Sequence, residues 1–137
     1  MSTAIRWKQR FENFKRANSK LVLASEALVK EPENELYAMA LFQAFEFNYE
    51  LAWKTLKDYL LYQGQSVQLP RETLKTAYAN ALIQSGDLWI QMLEDRNNMA
   101  HRYDQKNMQA IVKRIQEIYQ PLLKAFMAFF DQRAQHE

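Results

Sequence analysis

Phe42-Gln43-Ala44-Phe45-Glu46-Phe47-Asn48-Tyr49-Glu50-Leu51-Ala52-Trp53-Lys54-Thr55-Leu56-Lys57-Asp58-Tyr59-Leu60 decides the fold class of this chain. Phe42, Phe45, Tyr49, Trp53, Leu56 and Leu60 recur every three or four residues, the stripe of an amphipathic helix rather than the alternation of a strand. Asn34, just after Pro32, is a natural N-cap, and Gly64 a natural stop, so a helix is expected from about Asn34 to Gln63. Between Leu36 and Tyr62, 19 of 27 residues are apolar or aromatic, more than one buried stripe requires. A second line, Leu36, Ala40, Phe47 and Leu51, lies well around the cylinder from the first. Either this helix is the centre of a bundle, or its extra face packs on another subunit.

Upstream, Trp7, Phe11, Phe14, Leu21, Ala24 and Leu28 predict a helix from about Ile5 to Val29, ending before Glu31-Pro32. Up to Lys20 its other faces carry Arg6, Lys8, Arg10, Lys15, Arg16 and Lys20 against the single acid Glu12. A run of this kind is either a solvated face or a contact for a phosphate backbone or an acidic partner. Downstream, Gly64 to Leu69 reads as a connection, and Pro70 suits the first turn of a third helix striped by Leu74, Ala77, Tyr78, Ala81 and Leu82. Gly86 interrupts it, and Asp87 can cap a renewed segment carrying Leu88, Trp89, Met92 and Leu93. Asp104 can cap a last helix with Met108, Ile111, Val112, Ile115, Tyr119, Leu122, Leu123, Phe126 and Phe130 in register. Pro121 predicts a kink or short break after Gln120, and the polar tail from Asp131 to Glu137 is expected to fray.

Two glycines and three prolines in 137 residues leave little material for turns, so the chain reads as all-α. Wide apolar faces and short connections predict an antiparallel up-and-down four-helix bundle with an additional short helix, one domain over residues 1–137. A formal charge of +2 is too small for a field over the whole surface to select nucleic acid, so any electrostatic site must be local. The absence of cysteine excludes disulfides and thiolate metal sites. No segment reaches about 18 uncharged apolar residues, so no membrane association is expected and the cytoplasm is the default compartment.

Chemistry concentrates in Glu94-Asp95-Arg96-Asn97-Asn98-Met99-Ala100-His101-Arg102-Tyr103-Asp104, which holds the one histidine away from the C-terminal tail. A metal site normally recruits several ligands in register, and no Gly-rich phosphate loop, HExxH pattern or nucleophile elbow is present. Neither a metal nor another cofactor is expected. Histidine moves protons near neutral pH and arginine presents a fork matched to phosphate oxygens, a pairing suited to metal-free cleavage of RNA. There the 2′-hydroxyl is an internal nucleophile and needs a base, an acid for the leaving oxygen, and donors for the charge building on phosphorus. One histidine supplies only one proton-transfer role. Moreover, Arg96 and His101 would point about 140° apart on an unbroken helix. Either the helix breaks at the Asn-Asn pair, or two copies of the chain assemble the site across a two-fold axis, which predicts a homodimer. The bland alternative is a polar interhelical corner satisfied by caps and salt bridges.

Arg96-Asn97-Asn98-Met99-Ala100-His101 followed by Arg102-Tyr103 resembles the Arg-x4-His-x-Tyr motif of the HEPN superfamily. The block from Phe45 to Leu60, with Leu88-Trp89 and Leu93 to Asn97, is similar to its nucleotidyltransferase substrate-binding branch. This resemblance implies a dimerising helical bundle paired with a small nucleotidyltransferase of the MNT type. It implies a metal-independent ribonuclease toxin in which Arg96 contacts the scissile phosphate and His101 transfers protons. Tyr103 would be the hydroxyl that the partner adenylylates to block RNA. Asn97 would orient substrate, or else act as a helix C-terminal cap. Arg102 would add a charge that holds phosphate or that disfavours protonated His101. The other role known in this branch is a non-catalytic subunit that binds nucleotide or substrate for the transferase.

Overall fold

The computed structural model describes residues 2–99 and 105–137, and all regular structure among them is helical. Helices α1 (Thr3–Lys30) and α2 (Glu35–Tyr62) are the long pair. Ser2 Oγ accepts the Ile5 N–H at 3.2 Å, and Asn34 Oδ1 accepts the Tyr37 N–H at 3.1 Å, each satisfying a donor that a helix start leaves open. Asn34 is therefore the cap expected of it. The intervening turn folds α2 back antiparallel to α1, so that Arg10 meets Asp58 and Asn18 meets Asn48. The asparagine pair is buried: Asn18 Nδ2 donates to Asn48 Oδ1 at 3.0 Å, and Asn48 Nδ2 donates to the carbonyls of Ala17 and Ala44. Because buried polar groups must find partners, this contact favours one register of the two helices.

α3 (Pro70–Ala79) and α4 (Gly86–Met99) follow, then α5 (Gln105–Arg114), a π-helical turn at Ile115–Tyr119, and α6 (Gln120–His136). Trp7 packs edge-on to Tyr59 at 5.0 Å, Phe14 to Phe126 at 4.9 Å, and Tyr59 to Phe130 at 5.2 Å. Each such pair adds about 0.5–1.5 kcal/mol beyond burial of its area. Trp7 meets Phe130 whereas Phe14 meets Phe126, so α6 runs opposite to α1. The stripe expected on α1 is buried throughout, apart from half-buried Ala24.

Several local readings change. On the second face of α2, Leu36, Ala40 and Phe47 are exposed and Leu51 is half-buried, so this chain does not itself cover that face. α3 stops at Ala79, short of the stripe that runs on to Leu82, because Ala81 adopts a φ of 59° and turns the chain out of the helix. α4 starts at Gly86 rather than after it: the Ser85 carbonyl accepts from Leu88 and Trp89. A Cβ at Gly86 would lie 2.9 Å from Tyr78 Cδ1, which explains a glycine where α3 and α4 approach. Pro121 causes no break. It has no N–H to give to the preceding turn, and the turn before it widens instead, with the Gln120 N–H reaching the Ile115 carbonyl. Arg114 and Gln120 keep right-handed helical angles on either side. The segment from Asp131 continues α6 to His136, with Asp131 bonded to Lys15 and both Arg133 and Glu137 bonded to the Tyr59 hydroxyl. The expected Asp104 cap lies outside the described residues. No helix among the described residues is long and apolar enough to cross a membrane.

Candidate functional site

The last turns of α4 carry Glu94, Asp95, Arg96 and Asn97, and helical geometry sends successive side chains about 100° apart. Asp95 points inward and is buried. Its carboxylate accepts two bonds from the Arg114 guanidinium, Nε to Oδ2 at 2.6 Å and Nη2 to Oδ1 at 2.8 Å, and a third from the Tyr119 hydroxyl. The bond to Asp95 raises the Arg114 pKa further, and burial followed by the Asp95 carboxylate pushes the Tyr119 hydroxyl up. The Tyr119 ring stacks on Phe45 of α2 at 5.5 Å. One carboxylate thus fastens α4 to α5 and the π turn, and through Tyr119 to α2.

Arg96, the next residue, faces outward with its side chain 37% exposed. Its Nη2 pairs with Glu50 Oε1 of α2 at 2.8 Å, and its Nη1 donates to Asn97 Oδ1 at 3.3 Å. Glu50 is shared, since its Oε2 accepts from Trp53 Nε1 at 3.2 Å and stands 3.6 Å from Lys54 Nζ. Behind this pair, the buried hydroxyl of Tyr49 has no hydrogen-bond partner among the described residues. Burial and then Glu50 push its pKa up, while Arg96 and Arg71 act in the opposite sense. Arg71 at the start of α3 pairs loosely with Glu94 at 3.7 Å. Among the described residues one carboxylate, that of Glu50, holds this arginine fork at a partly open position, and an incoming anion can compete for it.

Of the predicted site residues, Arg96 and Asn97 are neighbours joined by a hydrogen bond. α4 continues through Asn97 and Asn98 to Met99, so the asparagine pair does not break the helix. His101, Arg102 and Tyr103 lie outside the described residues. Sequence reasoning missed Glu50, Arg114, Tyr119 and the structural part played by Asp95. Their signal was weak because charge at a helix position does not disclose a partner 19 or 24 residues away. Among the described residues no three histidine or carboxylate side chains gather to hold a metal ion.

A family model described as nucleotidyltransferase substrate binding protein like matches residues 9–132. The chain belongs to this family. A search of curated proteins finds no match. Among solved structures, the fold is similar to that of a tri-AMPylated Shewanella oneidensis HEPN toxin in complex with MNT antitoxin. That match has a TM-score of 0.76 at 15% identity and covers 92% of this chain and 96% of the other. The HEPN resemblance carried by the Phe45 and Arg96 blocks is borne out at the level of family and fold. Within this nucleotidyltransferase substrate-binding family member, Arg96 is the motif arginine, and among the described residues its guanidinium meets Glu50 and Asn97.

Proposed function

We propose that the protein is the HEPN-type partner of a small nucleotidyltransferase and cleaves RNA without a metal, with Arg96 and His101 as its catalytic pair. The observation that carries this reading is the placement of Arg96. It is partly exposed at the end of a helix that Asp95 anchors, and five residues ahead of the histidine. The similar Shewanella protein is a toxin bound to MNT antitoxin, which supports the pairing. In the reaction, a base removes the proton of the RNA 2′-hydroxyl, and that oxygen attacks phosphorus. The bond to the 5′-oxygen breaks as an acid protonates it, leaving a cyclic phosphate and a 5′-hydroxyl. Arg96 neutralises charge on the phosphate oxygens. Two His101 side chains, one from each protomer, divide the base and acid roles. Asn97 and Arg102 hold the substrate.

Tyr103 is the modification site in this reading. Its hydroxyl attacks the α-phosphate of ATP in the partner enzyme and releases pyrophosphate, and the attached AMP places negative charge where RNA phosphate would bind. The AMPylated state of the Shewanella toxin supports this. The up-and-down bundle works as a homodimer, supported by the apolar face of Leu36 and Phe47 that the chain leaves open.

Purified protein incubated with RNA in excess chelator provides the test. Cleavage is expected from the wild type, with a loss of at least 10²-fold in His101→Ala and Arg96→Ala. Equal cleavage by all three proteins, or by none, sinks the catalytic assignment. The ion pair of Arg96 with Glu50 favours a second reading, a non-catalytic subunit that exchanges Glu50 for a nucleotide phosphate. It predicts ATP binding that weakens in Arg96→Ala, with no cleavage. Tyr103→Phe is expected to abolish AMP transfer from the partner in the first reading and to leave it intact if the protein is only an adaptor.

A further inference from the structure

The basic half of α1 is not a uniform solvated face. Lys15 is occupied by Glu12 and Asp131, but Arg6 and Arg10 turn toward a cleft of about 340 Å³ between α1, α2 and the connection into α3. Lys54 and Lys57 line it from α2, and Asp58 is the one carboxylate among the lining residues. Four cations therefore face one acid. Arg10 engages that acid through Nε at 3.0 Å, which leaves its terminal nitrogens for a ligand. Neither Arg6 nor Lys57 has a carboxylate within ion-pair distance among the described residues. Lys57 Nζ instead stands 5.9 Å from the Trp53 ring, which forms an apolar wall of the cleft. A concave surface on which Arg6 and Lys57 have no acid partner among the described residues attracts polyanions, whatever the small charge of the whole chain.

The cleft is linked to Arg96 through Lys54, which shares the Glu50 carboxylate with it. Glu50 bonds Arg96 on one side and Lys54 on the other, and Lys57 lies two turns further along α2, about 10 Å by helical rise. A strand with its phosphate at Arg96 has the Lys54, Lys57, Arg6 and Arg10 cations along its continuation. We propose that this cleft holds the phosphodiester backbone of single-stranded RNA flanking the phosphate at Arg96, with Arg6 and Lys57 as its principal contacts. The inference rests on the ribonuclease reading above for its substrate, but it concerns binding and not cleavage.

The test is binding of fluorescein-labelled single-stranded 2′-O-methyl RNA, which lacks the internal nucleophile, followed by anisotropy over a range of salt concentrations in chelator. The Arg6→Gln/Lys57→Gln protein is compared with Lys30→Gln/Lys124→Gln, which loses the same charge. Lys30 lies at the other end of α1, about 36 Å from Arg6. Each phosphate contact on a single strand contributes about 0.7 to the slope of log affinity against log salt. The Arg6→Gln/Lys57→Gln protein is expected to bind roughly tenfold more weakly with a slope lower by about 1.4, while the control stays near wild type. Unchanged binding in Arg6→Gln/Lys57→Gln, or an equal loss in the control, overturns the proposal. If the wild type binds this RNA yet leaves unmodified RNA uncut, the catalytic reading fails and the cleft stands. If the wild type binds no RNA, both fall.

Discussion

Gly64 and Ala81 close α2 and α3 by the same arrangement with different residues. After α2, the Gln65 N–H bonds the Leu60 carbonyl and the Gly64 N–H that of Leu61; after α3, Leu82 reaches Ala77 and Ala81 reaches Tyr78. Both are Schellman closures, which require a left-handed residue, and φ is 87° at Gly64 and 59° at Ala81. Glycine adopts that conformation freely, whereas an L side chain is disfavoured by roughly 1–2 kcal/mol. Ala81→Gly is accordingly expected to stabilise the protein by about 1 kcal/mol and Gly64→Ala to destabilise it by a similar amount. Urea titration checks both, and shifts of the same sign would contradict the account. Open space around a Cβ at Gly64 makes the effect there purely one of backbone. The same contrast explains what was legible. Gly64 announces the end of α2 in the sequence, whereas Ala81 resembles a helix former and conceals the end of α3.

At the scale of elements, the decisive contact is the attachment of α4 to α5 and the π turn through Asp95. Hydrogen bonds to a buried carboxylate contribute more than neutral ones, and removing the charge leaves Arg114 without its anion. Asp95→Asn is expected to lower the free energy of unfolding by about 2 kcal/mol, read from the urea midpoint with the slope unchanged. A change within about 0.5 kcal/mol would mean that the two helices are held elsewhere. In the ribonuclease reading the same substitution also lowers cleavage, because Arg96 rides on the helix that Asp95 anchors. The π turn belongs to this attachment, since it carries Tyr119 to Asp95 with its ring on Phe45. Pro121 was visible as a perturbation of the last helix, but its consequence was not. A proline demands local adjustment, and whether the chain kinks or widens depends on what packs against that turn.

Over the whole molecule, buried tyrosines, Tyr59 as well as Tyr49 and Tyr119, work against stability at alkaline pH. Tyr49 and Tyr119 both hold their protons above the usual tyrosine range, chiefly through burial. Below about pH 10 both folded and unfolded chains keep these protons, and stability does not depend on them. Above it the unfolded chain releases them first, so stability falls by up to about 1.4 kcal/mol per pH unit for each tyrosine. Tyr49→Phe is expected to lessen that fall and, by deleting a buried hydroxyl that has no partner among the described residues, to raise stability at neutral pH by about 1 kcal/mol. Thermal unfolding as a function of pH measures both. The exposed apolar residues Leu36, Met39 and Phe47 of α2 bear on assembly. In the dimer reading, light scattering at micromolar concentration gives twice the chain mass, and a strictly monomeric protein removes the shared site. The helical class, the caps at Asn34 and Gly64, the buried stripes and the family motif at Arg96 were determined by the sequence alone. These depend on periodicity and on residues a few positions apart, where local sterics and hydrogen bonding suffice. Only the tertiary structure decided that Glu50 takes Arg96, that Asp95 takes Arg114 and Tyr119, that Lys15 takes Asp131 across 116 residues, and that one face of α2 stays open. Each depends on which faces the packed helices turn toward one another, and that is settled by burying the aromatic core as a whole.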